Sequence, residues 1–179
     1  MRHLVTRAGA ILAMLAAIAF VPTTGAAAAA SQPRNPLPAA VAARSAVSVG
    51  YESACAVVSG GKVKCWGNNS YGQLGDGSTV NHATPVFVTS LTGATAVSAG
   101  WYGACAIVSG GKVKCWGYNY YGEVGNGTTS EDVPTPVSVS GISGATALAS
   151  GGYGACVIVS GGKVKCWGYN YYGEVGNGT

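Results

Sequence analysis

The stretch Ser-Gly-Gly-Lys-Val-Lys-Cys-Trp-Gly occupies residues 59–67 and recurs without change at residues 109–117 and 160–168. It lies within longer segments that align at a period of about 50 residues, at 46–95, 96–146 and 147–179. A repeat of this length, built of short strands and turns, is typical of β-propeller blades, which need neighbours to cover both faces. The sequence therefore predicts an all-β fold, a partial β-propeller of about two and two-thirds four-stranded blades, because the third copy is truncated.

The repeated stretch contains the turn of a predicted β-hairpin. The Ser-Gly-Gly segment at 59–61 separates two short strands. A three-residue loop places Cys55 opposite Cys65, whereas a two-residue loop would place Cys55 opposite Trp66. With the longer loop, Gly61 would supply the left-handed residue of a type I turn with a bulge. The predicted pairing of the cysteines therefore depends on the predicted length of the loop.

Each copy carries two cysteines with nine residues between them. Zinc sites more typically show cysteines two to four residues apart with further ligands nearby, so we expect no metal and no cofactor. A disulfide within each copy would add roughly 2–3 kcal/mol of stability by closing a short loop. The alternative is six free thiols that pack as small apolar groups. The predicted disulfides join Cys55 to Cys65, Cys105 to Cys115 and Cys156 to Cys166.

The first 30 residues have the features of a secretory signal peptide. Arg2 and Arg7 give a basic start, residues 8–20 are apolar, and small residues follow up to Ala30. The apolar run is short for a membrane anchor, which is the alternative interpretation. Residues 31–45 are rich in proline and are expected to form a linker, or an additional outer strand of the first blade. We therefore expect a secreted or cell-surface protein that does not bind the membrane after cleavage.

The charge of the chain argues against nucleic acid as a partner. The whole sequence carries 10 Lys+Arg and 6 Asp+Glu, a formal net charge of +4. Removal of the signal peptide takes away Arg2 and Arg7, which leaves 8 against 6 and a net charge of +2. A balance this small does not provide the basic surface that nucleic acid or an anionic membrane requires.

The acidic residues do not form a recognisable catalytic set. Asp76 aligns with Asn126 in the second copy, and Gln73 aligns with Glu123 and Glu174 in the later copies, so neither position keeps its charge. Acidic and amide side chains in such glycine-rich turns commonly accept backbone hydrogen bonds. We therefore expect a protein that is not an enzyme, and glycoside hydrolysis by a carboxylate pair is the lesser alternative.

Aromatic side chains in two loops of each copy are the candidate binding residues. Equivalent loops of neighbouring blades emerge on the same rim of a propeller, and Tyr and Trp provide large, rather rigid contact areas with a polar tip. The alternative is that half of them, above all the tyrosine before each Gly-Gln or Gly-Glu, pack between blades. The tryptophan of the repeated stretch is expected to belong to the core. The candidates are Tyr51, Trp101, Tyr102 and Tyr153 in the first loop, and Tyr118 and Tyr120 in the long loop.

Several segments at fixed offsets resemble the regulator-of-chromosome-condensation repeat. They are Trp-Gly-Asn-Asn at 66–69, Tyr-Gly-Gln-Leu-Gly-Asp-Gly at 71–77 and Thr-Pro-Val at 84–86, with counterparts of the second at 121–127 and 172–178. The resemblance implies a propeller that has seven blades in complete members. The founding member exchanges nucleotide on the small nuclear GTPase Ran and docks on chromatin. We do not carry that activity over, because the signal peptide directs this chain elsewhere and none of the founding member's interaction residues can be matched.

The sequence thus predicts a secreted, non-enzymatic binding module that recognises a protein or a cell-wall glycan through its propeller loops. One alternative is an enzyme inhibitor, because the family resemblance extends to a secreted bacterial propeller that inhibits β-lactamases. Another is a truncated fragment without independent function. In that case open blade edges would lead to self-association.

Overall fold

The computed structural model describes residues 46–129 and 131–178. The predicted signal peptide (1–30) and linker (31–45) lie outside these described residues. Within the described ranges, no helix is long and apolar enough to cross a membrane.

Antiparallel strands form three sheets, which we call blades 1 to 3. Blades 1 and 2 have four strands in sequence order, and the described part of blade 3 has three. The prediction of an all-β partial propeller is therefore confirmed. Blade 1 contains β1 (Val47–Val49), β2 (Ser53–Val58), β3 (Lys62–Gly67) and β4 (His82–Phe87); blade 2 contains β5 (Ala94–Ala99), β6 (Gly103–Val108), β7 (Lys112–Tyr118) and β8 (Asp132–Ser138); blade 3 contains β9 (Ala145–Ser150), β10 (Gly154–Val159) and β11 (Lys163–Gly168).

The hairpin has the predicted register in all three blades. In blade 1, Cys55 lies opposite Cys65 and Val58 lies opposite Lys62, and blades 2 and 3 repeat this register. The loop has three residues, but both of its glycines are left-handed, with φ of 73° at Gly60 and 65° at Gly61. A type I turn would have required a right-handed residue before the bulge, so the predicted turn type is wrong. Two successive glycines allow the second left-handed residue without a steric penalty.

The three predicted cysteine pairs are joined as disulfides, and none of the six cysteines is free. The paired Cα atoms lie 4.1, 4.0 and 4.1 Å apart, a short spacing that directly opposed residues of antiparallel strands can provide. Each bond therefore closes one hairpin within one blade.

The middle hairpin buries both of its faces, each against a different neighbour. Along β6, alternate residues share a face. Ala104 and Ala106 belong to the core between blades 1 and 2, whereas Cys105 and Ile107 belong to the core between blades 2 and 3. The disulfides of blades 1 and 2 are therefore part of the packing between blades.

In blades 2 and 3, the tryptophan of the repeated stretch joins the blade to the preceding one. The indole N–H of Trp116 donates to the carbonyl oxygen of Gln73 at 2.9 Å, and that of Trp167 donates to Glu123 at 2.8 Å. Trp116 is 1% exposed and lies in the core as predicted, whereas Trp66 and Trp167 are only partly buried. Gly75 lies so close to this indole that a Cβ atom would stand 2.8 Å from it, so a side chain at position 75 would displace the tryptophan.

The central disulfide is predicted to contribute more stability than the last one. Removing either by paired Cys→Ala substitution reopens a loop of the same sequence separation, 10 residues, at a loss of roughly 2–3 kcal/mol. Cys105 and Cys115 are also buried between blades, whereas Cys156 and Cys166 are partly exposed. Cys105→Ala/Cys115→Ala should therefore lose about 1 kcal/mol more, because it also leaves a cavity.

The measurement is urea unfolding of both double variants beside the unsubstituted chain, followed by tryptophan fluorescence. Equal losses in the two variants would contradict the placement of the central disulfide in an inter-blade core.

Candidate binding surface

All ten tyrosines of the chain and Trp101 form one connected set of aromatic rings. Neighbouring ring centroids lie between 4.8 and 6.3 Å apart, distances typical of aromatic pairs. We call this set the tyrosine rim. Its members are Tyr51, Tyr71, Trp101, Tyr102, Tyr118, Tyr120, Tyr121, Tyr153, Tyr169, Tyr171 and Tyr172.

The structure brings all six candidate binding residues into the rim. Tyr102 is half-buried at its centre, and its ring contacts four others, those of Tyr71, Trp101, Tyr118 and Tyr153. The outer candidates remain accessible: Tyr51 is 66% exposed, Trp101 48%, Tyr120 50% and Tyr153 41%. Their role in binding stays a prediction.

The tyrosines that precede Gly-Gln and Gly-Glu both pack between blades and reach the surface. Tyr71 of blade 1 contacts Tyr118 of blade 2 at 5.3 Å, and Tyr121 of blade 2 contacts Tyr169 of blade 3 at 4.9 Å. Tyr71 nevertheless remains 38% exposed and Tyr121 52%. The sequence leaves inter-blade packing and surface exposure as alternatives for these tyrosines, and the structure combines the two.

Side-chain acceptors fix the long loop that carries half of the rim. The buried Asn69 accepts the backbone N–H of Leu74 at 2.9 Å through Oδ1, and Asn119 and Asn170 accept equivalent bonds. The backbone N–H of the rim tyrosine is held as well. Tyr71 donates to Gln73 at 2.8 Å, Tyr121 to Glu123 at 2.8 Å and Tyr172 to Glu174 at 2.9 Å.

Close backbone contacts hold the first loops of neighbouring blades side by side. The N–H of Trp101 donates to the carbonyl oxygen of Gly151 at 3.3 Å, and the N–H of Ser150 donates to the hydroxyl of Ser98 at 2.9 Å. A Cβ atom at Gly100 would overlap the carbonyl oxygen of Gly151. Glycine at position 100 therefore permits the approach that brings Trp101 to 6.1 Å from Tyr153.

The phenols at the centre of the rim keep their protons at neutral pH. Burial among neighbouring rings, reinforced by the other phenols, raises the pKa of Tyr102, Tyr118 and Tyr169. A hydrogen bond to Glu131 and the charge of that carboxylate raise the pKa of Tyr120. The rim therefore presents apolar ring faces together with uncharged hydroxyl groups.

A cleft of about 900 Å³ opens between the rim tyrosines of blades 2 and 3. Trp101, Tyr118, Tyr121, Tyr153 and Tyr169 line it, and the backbone of the glycine-rich loop at 151–154 contributes one wall. Glu174 also lines the cleft. A cleft of this volume with several aromatic residues in its walls is typical of ligand sites.

Glu123 is a partly buried carboxylate beneath the rim. Its Oε1 atom is buried without a hydrogen-bond partner, as is the hydroxyl of Ser150, and both residues line a small cavity of about 20 Å³. Burial raises the pKa of Glu123 above its ordinary value of 4.5. At the junction of blades 1 and 2 the equivalent residue is Gln73, whose amide donates to Asn68 at 2.8 Å.

The remaining acidic residue of interest, Asp76, serves its own loop. Burial opposes its charge, but hydrogen bonds from Ser78 and Asn69 and the charge of His82 outweigh this and lower its pKa. His82 Nε2 lies 3.0 Å from Oδ2 of Asp76. Among the described residues, no group of three or more His, Cys, Asp or Glu side chains is arranged to hold a metal ion.

Sequence models of known families match the repeats directly. The model of the regulator of chromosome condensation (RCC1) repeat matches residues 60–107 and 110–158, together more than half of the chain. A second model of the same repeat matches residues 45–73, 94–123 and 145–174. The chain belongs to the RCC1 repeat family.

Several solved structures, among them that of yeast RCC1 (Prp20p), share the fold. Human WBSCR16 is 26% identical, with a TM-score of 0.64 over 69% of this chain and 32% of that one. Prp20p from Saccharomyces cerevisiae is 20% identical, with a TM-score of 0.65 over 74% and 35%. The same yeast protein bound to Kap60 gives 19% identity and a TM-score of 0.59 over 69% and 32%. This RCC1-repeat chain thus spans about a third of the length of each of these solved proteins. No curated protein sequence matches the chain.

Replacing Glu123 by Gln is expected to stabilise this RCC1-repeat chain modestly at pH 7, because the side chain becomes neutral, while its amide lacks the acceptor that Asn68 gives Gln73. The pKa of Glu123 is raised in the folded state, so the carboxyl group reduces stability as pH rises from 4.5 through the folded-state value. The advantage of Glu123→Gln should therefore shrink as pH is lowered towards 4.5.

The measurement is urea unfolding between pH 4 and 8, with Glu174→Gln as the matched control. Glu174 accepts the same backbone hydrogen bond but is exposed, so its substitution should leave stability nearly unchanged. A pH-independent gain, or an equal gain in both variants, would show that burial of Glu123 is not its cause.

Proposed function

We propose that this chain is a non-enzymatic recognition module that acts outside the cytoplasm and binds its ligand through the tyrosine rim. The single observation that carries the proposal is the connection of ten tyrosines and Trp101 across the described parts of all three blades. Interfaces are enriched in Tyr and Trp, and a few such residues at the centre usually provide most of the binding energy.

A protein is the ligand that the extent of the rim favours. Its rings run from Tyr51 in blade 1 to Tyr172 in the long loop of blade 3, a broad surface rather than a single pocket. Yeast Prp20p has been solved bound to Kap60, and its binding to Gsp1p and histones has been described. At 19% and 20% identity these structures show the fold alone, so we take from them only the precedent that this fold can bind proteins. An enzyme inhibitor would be a special case of such a module.

A cell-wall glycan is the second candidate, supported by the cleft between blades 2 and 3. Its aromatic faces suit the apolar faces of sugar rings, and its phenols are uncharged donors and acceptors.

Two observations support the extracellular and non-enzymatic parts of the proposal. Three disulfides are typical of an oxidising environment, which agrees with the signal-like features of residues 1–30. The repeat-related carboxylates Glu123 and Glu174 each accept a backbone N–H of their own loop, so their positions have a structural explanation.

The variant Trp101→Ala/Tyr102→Ala tests the proposal, because it removes the centre of the rim. Phe87→Ala is the control: this ring is 51% exposed on the outer strand β4, where Lys64 lies 4.5 Å from it, away from the rim. Binding is measured to peptidoglycan by co-sedimentation, and to extracellular proteins of the source organism by crosslinking and mass spectrometry. We expect about 30-fold weaker binding of the rim variant to one probe, as loss of about 2 kcal/mol implies, and unchanged binding of the control.

If the rim variant binds a probe as tightly as the unsubstituted chain does, the role of the rim in binding that probe is contradicted. Failure of the unsubstituted chain to bind either probe would count against recognition itself. If the unsubstituted chain releases soluble sugar from peptidoglycan and Glu174→Gln does not, the non-enzymatic assignment is contradicted. Circular dichroism of each variant establishes that the fold is retained.

A further inference from the structure

The same tyrosine pair occurs at both junctions between blades. The tyrosine before Gly-Gln or Gly-Glu in one blade meets the tyrosine that follows Trp-Gly in the next. Tyr71 and Tyr118 lie 5.3 Å apart with an interplanar angle of 83°, and Tyr121 and Tyr169 lie 4.9 Å apart at 71°. Because the geometry repeats, it is a property of the junction and not an accident of one loop.

No disulfide crosses either of these junctions. Each of the three disulfides joins two strands of a single hairpin. Apart from the chain itself, the blades are held together by apolar packing, by the indole hydrogen bonds of Trp116 and Trp167, and by backbone contacts. The tyrosine pairs are therefore placed where a covalent bond between blades would add a constraint that the disulfides do not supply.

We propose that Tyr71–Tyr118 and Tyr121–Tyr169 are sites of oxidative coupling, at which dityrosine bonds join neighbouring blades. The oxidant is a peroxidase with hydrogen peroxide. Each phenol loses one electron and one proton, the two phenoxyl radicals form a carbon–carbon bond between their ortho positions, and the ortho hydrogens shift to the oxygens. In total, two phenols and one hydrogen peroxide give one dityrosine and two water molecules.

The rings meet the geometric requirements of this reaction. Tyr71 and Tyr121 are exposed and their partners half-exposed, so an oxidant can reach each pair from the rim. Rotation about χ2 of a tyrosine is comparatively free, which allows the edges of an edge-to-face pair to turn towards each other. Because both partners are held by the fold, coupling within the pair has a large advantage over encounter between molecules.

Because the rings of the rim contact one another, an oxidant can act on any exposed ring of the rim and not only on the two tyrosine pairs. Trp101 contacts Tyr51, Tyr102 and Tyr153, and Tyr153 in turn contacts Tyr169. A radical formed on any exposed ring can therefore pass from ring to ring until it reaches a pair that couples. The connected rings include both junction pairs.

The test treats the full chain with peroxidase and hydrogen peroxide at low protein concentration. Each bond lowers the intact mass by two hydrogen atoms and adds dityrosine fluorescence. After reduction and trypsin digestion, coupling of Tyr71 to Tyr118 joins peptides 65–112 and 115–163, and coupling of Tyr121 to Tyr169 joins peptides 115–163 and 166–179. We expect both joined products in monomeric protein.

Phenylalanine variants identify the coupled residues while they retain the ring packing. Tyr71→Phe should lower the first joined product about tenfold or more, and Tyr121→Phe should do the same to the second. Tyr51→Phe is the matched control, because Tyr51 is 66% exposed and its ring contacts only Trp101 among the described rings. Its substitution removes one exposed ring of the rim but neither coupling partner, so both joined products should persist.

The proposal is overturned if the unsubstituted chain yields only bonds between molecules, or none. It is equally overturned if the joined peptides persist in Tyr71→Phe and Tyr121→Phe, since other tyrosines would then be the coupled ones. Circular dichroism of each variant before oxidation excludes unfolding as the reason for a lost product.

Discussion

The packing of the middle hairpin against a different neighbouring blade on each face is the contact on which the rest of the structure depends. In blade 2, one face of the hairpin carries the disulfide and Val113 towards blade 3, and the other carries Ala106 and Trp116 towards blade 1. A strand with two buried faces must be small or apolar on both, and the middle hairpin satisfies this at nearly every position.

The rim follows from this packing, because the two junctions place the long loops in a similar way. The indole of Trp116 binds the long loop of blade 1 at Gln73, and that of Trp167 binds the long loop of blade 2 at Glu123. These loops carry Tyr71 and Tyr121, which are thereby set against the next blade. The core tryptophan and the surface tyrosines are thus two parts of one junction, so a change at position 75 or 116 should disturb the rim as well as the core.

Features that depend on local spacing could be predicted from the sequence. Features that depend on contacts with neighbouring blades could not. Nine residues between cysteines and a three-residue loop were sufficient for the hairpin register, because both are local. Burial was not predictable in this way. The hexapeptide at 163–168 repeats that at 112–117 letter for letter, yet Val164 is 64% exposed and Val113 only 1%. The connected tyrosine rim was likewise beyond local reasoning, because Tyr71 reaches it only through contacts with the following blade.

The two junctions also differ in a way that connects the rim to stability. At the junction of blades 1 and 2, Gln73 donates to Asn68, and Ala99 is apolar. At the junction of blades 2 and 3, the corresponding residues are Glu123, Tyr118 and Ser150. Glu123 and Ser150 each have a buried side-chain oxygen without a hydrogen-bond partner. In blade 2, Tyr118 occupies the position that corresponds to Asn68 of blade 1. Its ring pairs with Tyr71. It does not provide the amide oxygen to which a glutamine at position 123 would donate, as Gln73 donates to Asn68. Local rules of polar pairing are thus broken directly beneath the candidate binding surface, the place where a functional demand most often overrides them.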